Sequence, residues 1–173
     1  MSSMRIRRGC ICFGILASAL LFVGAAPPPK KSPPPWFWGC WVVTKWLPVK
    51  DISALSQKQV DAMIGTRLVF APTCARSGRE VLKSPVYSAR VVSDEDFFRL
   101  GSYVNLRDIG VHAKQVTEVE VDLPDNLSDL DFPGTYMFLR EKDIVIEVEG
   151  DYFVAKRAKP GDPACTCEIS APK

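Results

Sequence analysis

The stretch of sequence that decides the fold is Thr135–Arg157, which reads TYMFLREKDIVIEVEGDYFVAKR. It holds three runs of aromatic, aliphatic and β-branched residues joined by two short polar connections: Thr135–Arg140, Ile144–Glu149 and Tyr152–Arg157. This spacing is typical of consecutive β-hairpins. In the middle run, apolar residues at positions 144, 146 and 148 alternate with Glu147 and Glu149. One face of that strand is therefore predicted to be buried and the other wet, as in an antiparallel meander.

Further strand-like segments precede this meander: Trp38–Leu47, Thr66–Ala71, Arg79–Val92 with a break at Pro85, and Lys114–Leu123. One predicted helix follows the capping box Ser56-x-x-Gln59 and ends at Gly65, and another, Asp94–Leu100, is capped by Ser93. The sequence thus predicts a mainly-β fold, an antiparallel up-and-down β-barrel of about eight strands with two short helices. A sandwich is the alternative, and the barrel is favoured because closure removes exposed strand edges.

The first 25 residues have the features of a secretory signal peptide. Three arginines precede the apolar run Gly9–Gly24, which is shorter than the roughly 20 residues of a spanning helix. We therefore expect cleavage after Ala25, no stable membrane anchor afterwards, and a periplasmic or secreted protein. The predicted organisation is a signal peptide (1–25), a Pro-rich spacer (26–35), a β-barrel (36–158) and an irregular Cys-containing tail (159–173).

Loss of the signal peptide changes the charge of the chain. Three of the 22 basic residues leave with it and all 20 acidic residues stay, so the net charge falls from +2 to −1. A chain with this balance has no basic field to attract nucleic acid. The remaining length of about 148 residues corresponds to one domain, which we expect to be a monomer.

Four cysteines remain after signal cleavage: Cys40, Cys74, Cys165 and Cys167. An even number of cysteines in an oxidising compartment predicts disulfides. A bond between Cys165 and Cys167 would close a strained ring, so Cys40 and Cys74 are each expected to pair with one of these tail cysteines. A metal or redox role for the Cys165-x-Cys167 pair is the weaker interpretation, because no histidine or further cysteine lies nearby in the sequence.

Gly39-x-Trp41 opens the first strand, and Lys156-Arg157 ends the last strand of the meander. This combination resembles the lipocalin or calycin β-barrel pattern, in particular the small lipocalin-like exported proteins of bacteria. The resemblance implies that Trp41 closes the base of the barrel and that Arg157 or Lys156 packs over its ring in a cation–π contact. If Trp41 and Val43 point inward, Cys40 points outward, where the tail can reach it.

Few residues suggest catalysis. The single histidine, His112, lies in a predicted loop, and no Gly-x-Ser-x-Gly nucleophile motif is present. The acidic loop between Asp122 and Asp131 lacks the spacing of a calcium loop. We therefore expect no catalytic residues, no metal, no cofactor and no enzymatic activity.

The first functional hypothesis is a non-enzymatic barrel that binds a small apolar ligand in its mouth, lined by Trp41, Val43, Tyr136 and Phe138. A barrel interior filled by side chains would argue against it. The alternative is a protein-interaction module, such as an inhibitor of a protease or lysozyme. Such a module would contact an exported protein through Trp36-Phe37 after the Pro-rich spacer, or through the acidic loop 124–132.

Overall fold

The computed structural model describes residues 31–49, 53–98, 104–122, 132–140 and 142–168. The predicted signal peptide (1–25) lies outside the described residues. So do residues 26–30 of the predicted spacer, the end of the second predicted helix (99–100) and most of the acidic loop (123–131).

Within these ranges the chain forms nine β-strands and two α-helices. The strands are β1 (Gly39–Leu47), β2 (Arg67–Ala71), β3 (Cys74–Ser77), β4 (Glu80–Lys83), β5 (Val86–Ser93), β6 (Gln115–Asp122), β7 (Tyr136–Leu139), β8 (Asp143–Val148) and β9 (Asp151–Arg157). The helices are α1 (Gln57–Met63) and α2 (Asp94–Phe97). A short 3-10 helix, Pro35–Phe37, precedes β1 and is called the base helix below.

All nine strands form one antiparallel sheet in the order β4-β3-β2-β1-β9-β8-β7-β6-β5. The predicted meander is present as β7, β8 and β9, with register pairs such as Phe138↔Val145 and Val145↔Val154. The first strand then pairs with the last, from Trp41↔Arg157 to Leu47↔Tyr152. This contact joins the two ends of the domain and places the Gly-x-Trp motif beside the end of β9.

The sheet is curled into a half-barrel. The prediction of a mainly-β fold with two short helices is confirmed, but the structure has nine strands, and β4 and β5 form the two ends of the sheet instead of a closed ladder. These two strands are consecutive in the sequence and are separated by Ser84 and Pro85. Pro85 has no N–H to donate to a ladder, which explains why pairing stops here.

Local sequence signals account for both helices. Ser56 accepts a hydrogen bond from the Gln59 backbone N–H, and the Gln59 side chain accepts one from the Ser56 N–H, so the predicted capping box is present. Ser93 caps α2 by accepting from the Asp96 N–H. The α1 helix buries Val60 against the sheet. Short helices of this kind depend on such packing, because they are marginal in isolation.

The sheet separates two hydrophobic clusters. The inner cluster lies on the concave face and includes Trp41, Phe70, Met137 and Phe153. The outer cluster covers the other face of β5–β9, where Phe97 of α2 and the segment 104–111 pack on the strands. Both faces of these strands therefore carry buried side chains, which is possible because α2 and the following segment cover part of the face that would otherwise contact water.

The tail after β9 folds back along β1–β3. Cys40 bonds to Cys165 and Cys74 bonds to Cys167, with Cα–Cα distances of 5.5 and 6.3 Å. The buried guanidinium of Arg76 donates to the carbonyls of Ala164 and Thr166 within the tail, at 2.5 and 2.6 Å. The predicted pairing of Cys40 and Cys74 with the tail cysteines is thus present, and such bonds persist in oxidising compartments.

Candidate functional site

The Gly-x-Trp motif lies at the start of β1, where Trp41 pairs with Arg157 at the end of β9. The guanidinium carbon of Arg157 lies 3.9 Å from the centre of the Trp41 ring. Arg157 also donates to the carbonyls of Trp38, at 2.7 Å, and of Trp36. The Trp41 indole N–H donates to the carbonyl of Phe37 in the base helix, at 3.0 Å. These contacts tie the base helix to β1 and β9.

Gly39 is required by this arrangement. Its φ is +131°, which side chains rarely adopt, and a Cβ built there would lie 2.5 Å from Nη1 of Arg157. The sequence left Lys156 and Arg157 as alternatives for the residue over the ring, and in the structure that residue is Arg157. The planar guanidinium can stack on the indole and donate to two carbonyls at once, which an ammonium group does less well.

The four predicted ligand-lining residues are not brought together. Trp41 and Val43 belong to the inner cluster and are 2% and 1% exposed. Phe138 belongs to the outer cluster, and Tyr136, two residues away, shares its face and is 39% exposed. The inward-facing residues of β7 are instead Met137 and Leu139. The expectation that Trp41, Val43, Tyr136 and Phe138 line one cavity is therefore corrected.

The described part of the concave face is filled by side chains next to Trp41. Phe70, Met137, Ile146 and Phe153 are each 0% exposed and belong to the same cluster as Trp41. Interiors packed in this way contain few voids larger than a water molecule. An apolar ligand beside Trp41 would have to displace these side chains, so the core around Trp41 does not serve as a preformed pocket.

An aromatic cluster connects β5 with the β2–β3 side of the half-barrel. Phe37 stacks on Phe70 with ring centroids 5.0 Å apart, and Trp38 meets Tyr87 edge to face at 4.8 Å. The Tyr87 hydroxyl donates to the carbonyl of Cys74, at 3.1 Å. Burial raises the pKa of Tyr87. Aromatic side chains thus fill the space between β5 and the β2–β3 side, where the backbones do not pair. The outer backbone edge of β5 is not paired with β4.

A groove runs along that edge. Residues 31–34, called the arm below, pass beside β5. Lys31 and Ala89 exchange two backbone hydrogen bonds, with N–O distances of 2.9 and 2.6 Å. The groove encloses about 420 Å³, and most of its wall is apolar. It is called the edge groove, and it is lined by Lys31, Ser32, Pro34, Ala89, Arg90, Val91 and Thr117.

Arg90 is fixed in the wall of the edge groove by an ion pair. Its guanidinium donates to both carboxylate oxygens of Glu118, at 2.7 and 3.0 Å, and Glu118 is 4% exposed. Burial, and then the charge of Glu118, raise the pKa of Glu147 on the same outer face. The guanidinium of Arg90 is therefore directed to the outer face by Glu118. As a result, the wall of the edge groove is mostly apolar even though Arg90 contributes to it.

A second hollow of about 670 Å³ lies beside His112 and the β7–β8 connection. Arg140 borders it and is held by Asp143, at 2.5 and 2.7 Å, and by the carbonyl of Gly110, at 3.0 Å. His112 is exposed in the loop before β6, as the sequence predicts. Arg140 is engaged by these partners, and Lys142 and Asp143 also line this hollow. The edge groove, with its mostly apolar wall beside a strand edge, is the stronger binding candidate.

The described residues contain no cluster of three or more His, Cys, Asp or Glu side chains arranged to hold a metal. Among the helices of the described ranges, none is long and apolar enough to cross a membrane. Comparison with protein-family models, with curated proteins and with solved structures gave no match.

Sequence reasoning did not identify the residues of the edge groove. Lys31 and Ser32 lie between prolines, a pattern that predicts a spacer, and Ala89 and Val91 lie in a predicted broken strand. One signal was available. A long apolar strand that follows a proline break is a candidate edge strand, and an edge strand needs a cover.

Proposed function

We propose that this chain is an exported, non-enzymatic, lipocalin-like β-barrel module that binds another exported protein, as an inhibitor of a protease or lysozyme would. Trp41 beneath Arg157, with Gly39 before it, supports the lipocalin-like assignment. The two disulfides support export. The binding surface in this proposal is the outer edge of β5 together with the edge groove.

The observation that carries the proposal is the state of that edge. Because Ala89 directs its N–H and C=O to Lys31, the alternation of a strand directs those of Tyr87 and Val91 to the same side. Within the described ranges, Ala89 is the one position of β5 bridged on this side. The Val91 side chain is 57% exposed and borders the groove. An extended segment of a partner can pair with such an edge, as in β-strand addition.

Site-specific photo-cross-linking tests this proposal. A photoreactive residue placed at Val91 is expected to form one discrete adduct with an exported protein in the cells that produce the chain. The matched control is Val86, which is equally exposed on β5 but shares the outer face of Ser88 and Arg90. Equal labelling at both positions, or no adduct at Val91, would contradict binding along this edge.

A small apolar ligand remains a second candidate because of one observation. The edge groove has about 420 Å³, which is within the range of small-molecule sites. Native mass spectrometry of the exported protein, followed by denaturation, distinguishes the two functions. A released apolar compound supports ligand binding in the groove, whereas a bound polypeptide supports the interaction module.

A further inference from the structure

The second hollow, beside the β7–β8 connection, has a more polar wall than the edge groove. Its volume of about 670 Å³ is within the range of small-molecule sites. Its described lining includes two cations, Arg140 and Lys142, together with His112 and the carboxylate of Asp143. No residue of this lining belongs to the edge groove, so the two hollows are separate sites. We propose that the second hollow binds a small organic anion that carries at least two carboxylate or phosphate groups.

The guanidinium of Arg140 is held in place by contacts within the protein. Its Nε and Nη2 atoms donate to the two carboxylate oxygens of Asp143, at 2.5 and 2.7 Å, and its Nη1 atom donates to the carbonyl of Gly110, at 3.0 Å. Each Nη atom of a guanidinium carries two N–H donors, so these described hydrogen bonds leave one donor on each. The two donors suit two oxygens of one carboxylate or phosphate. The Arg140 side chain is 22% exposed, which lets a ligand reach them.

Gly110 makes this position of Arg140 possible. Its φ is +76°, which side chains rarely adopt, and a Cβ built there would lie 2.6 Å from Nη1 of Arg140. The residues on either side of it, Ile109 and Val111, are buried in the outer cluster and fix the Gly110 carbonyl. This part of the wall is therefore preorganised, which lowers the entropy that is lost when a ligand binds.

The charges of the lining favour an anion. Asp143 is the one carboxylate of the described lining, and both of its oxygens accept hydrogen bonds from Arg140. Lys142 is exposed, and no other carboxylate of the described lining offsets its positive charge. An ammonium group beside a fixed guanidinium attracts anions, and a concave wall focuses this attraction more than an open surface does.

The donors come from two segments of the chain, which favours a ligand with two anionic groups. Arg140 and Lys142 belong to the β7–β8 connection, and His112 belongs to the loop before β6. His112 is exposed and carries an N–H donor whether its ring is neutral or charged. When one carboxylate or phosphate group contacts the β7–β8 connection, a second group of the same ligand can reach His112. A ligand with a single anionic group lacks this second contact.

The test separates binding from the structural role of Arg140. Arg140 joins Gly110 to the β7–β8 connection, so its substitution would disturb the fold as well. Lys142 and His112 are exposed, and the variants Lys142→Gln and His112→Ala leave the contacts of Arg140 in place. The matched control is Lys83→Gln, which removes one positive charge from an exposed position of β4, at one end of the sheet. Isothermal titration calorimetry of the full exported protein uses citrate, pyrophosphate and acetate as ligands.

The natural chain is expected to bind citrate or pyrophosphate more tightly than acetate, and the tighter of the two identifies the anionic group as carboxylate or phosphate. Lys142→Gln should weaken this binding about tenfold, through loss of one charge-assisted hydrogen bond, and His112→Ala several-fold, whereas Lys83→Gln should leave it unchanged. No binding of either polyanion, an affinity no higher than that for acetate, or no weakening in Lys142→Gln and His112→Ala beyond that in Lys83→Gln would overturn the proposal. NMR signals of Gly110 and of the Arg140 Nε–H that do not shift on binding would overturn it as well.

Discussion

Removal of the two disulfides, singly and together, should reveal that their contributions to stability are coupled. Cys40–Cys165 spans 125 residues and Cys74–Cys167 spans 93. Taken alone, loops of these lengths lower the entropy of the unfolded chain enough to stabilise the fold by about 4.9 and 4.7 kcal/mol. The two loops overlap almost completely, however. With one bond kept, the other closes a circuit of only about 36 residues, from Cys40 to Cys74 and across the tail, worth about 3.8 kcal/mol.

The expected result is therefore greater than additive. The variants C40A/C165A and C74A/C167A should each lose about 3.8 kcal/mol, and the variant without any disulfide should lose nearly 9 kcal/mol. Domains of this size are stable by about 5–15 kcal/mol, so the last variant is expected to be at the limit of folding. In urea, with a slope near 2 kcal/mol/M, each paired variant should unfold at a midpoint about 2 M lower.

A crossed variant provides the control. C40A/C167A also removes two cysteines, but it leaves one member of each observed pair, Cys74 and Cys165. It should expose two thiols to a thiol reagent and be as unstable as the variant without disulfides. If C40A/C167A instead shows no thiols and unfolds with the paired variants, the pairing in the structure and the reasoning from it are refuted.

Three further predictions concern the contact between Arg157 and Trp41, the orientation of β7, and the buried carboxyl group of Glu147. Arg157→Met should lower the free energy of unfolding by about 1–2 kcal/mol, because the contact with Trp41 and two hydrogen bonds are lost. The control, Lys156→Met, should change it by less than about 0.5 kcal/mol. Equal effects of the two substitutions in urea unfolding would contradict the role of Arg157. Met137→Ala should lower the free energy of unfolding by about 2–5 kcal/mol and Tyr136→Ala by about 1 kcal/mol or less, because of the two only Met137 belongs to the inner cluster. The reverse order in urea unfolding would place Tyr136, and not Met137, on the inner face. Burial in the folded state raises the pKa of Glu147, so ionisation of this group costs stability as the pH rises through its folded pKa. Glu147→Gln should therefore be more stable than the natural chain at pH 7 and equally stable at pH 3. Thermal melts that show no such convergence at low pH would exclude burial as the cause.

The sequence predicts the parts of the fold that rest on a single periodic signal. Alternation in β8 places Ile144 and Ile146 inside, and the capping box at Ser56 starts α1, as the structure shows. Alternation does not predict the orientation of β7, because its four consecutive residues are all aromatic or aliphatic. The orientation of Phe138 is set by Phe97, whose ring lies 4.9 Å away in α2. Because Phe97 and Phe138 are far apart in the sequence, a local sequence pattern cannot reveal this contact.

The candidate site was missed for a related reason. The strand pattern predicts a closed barrel without exposed edges, and the prolines before Trp36 predict a spacer. In the structure the edge of β5 persists, and the arm covers it through Lys31. A strand edge can be hidden either by closing the sheet or by covering it with another segment. In the described residues, the cover of this edge is the bridge between Lys31 and Ala89. This edge, rather than the filled interior beside Trp41, is where we propose that binding takes place.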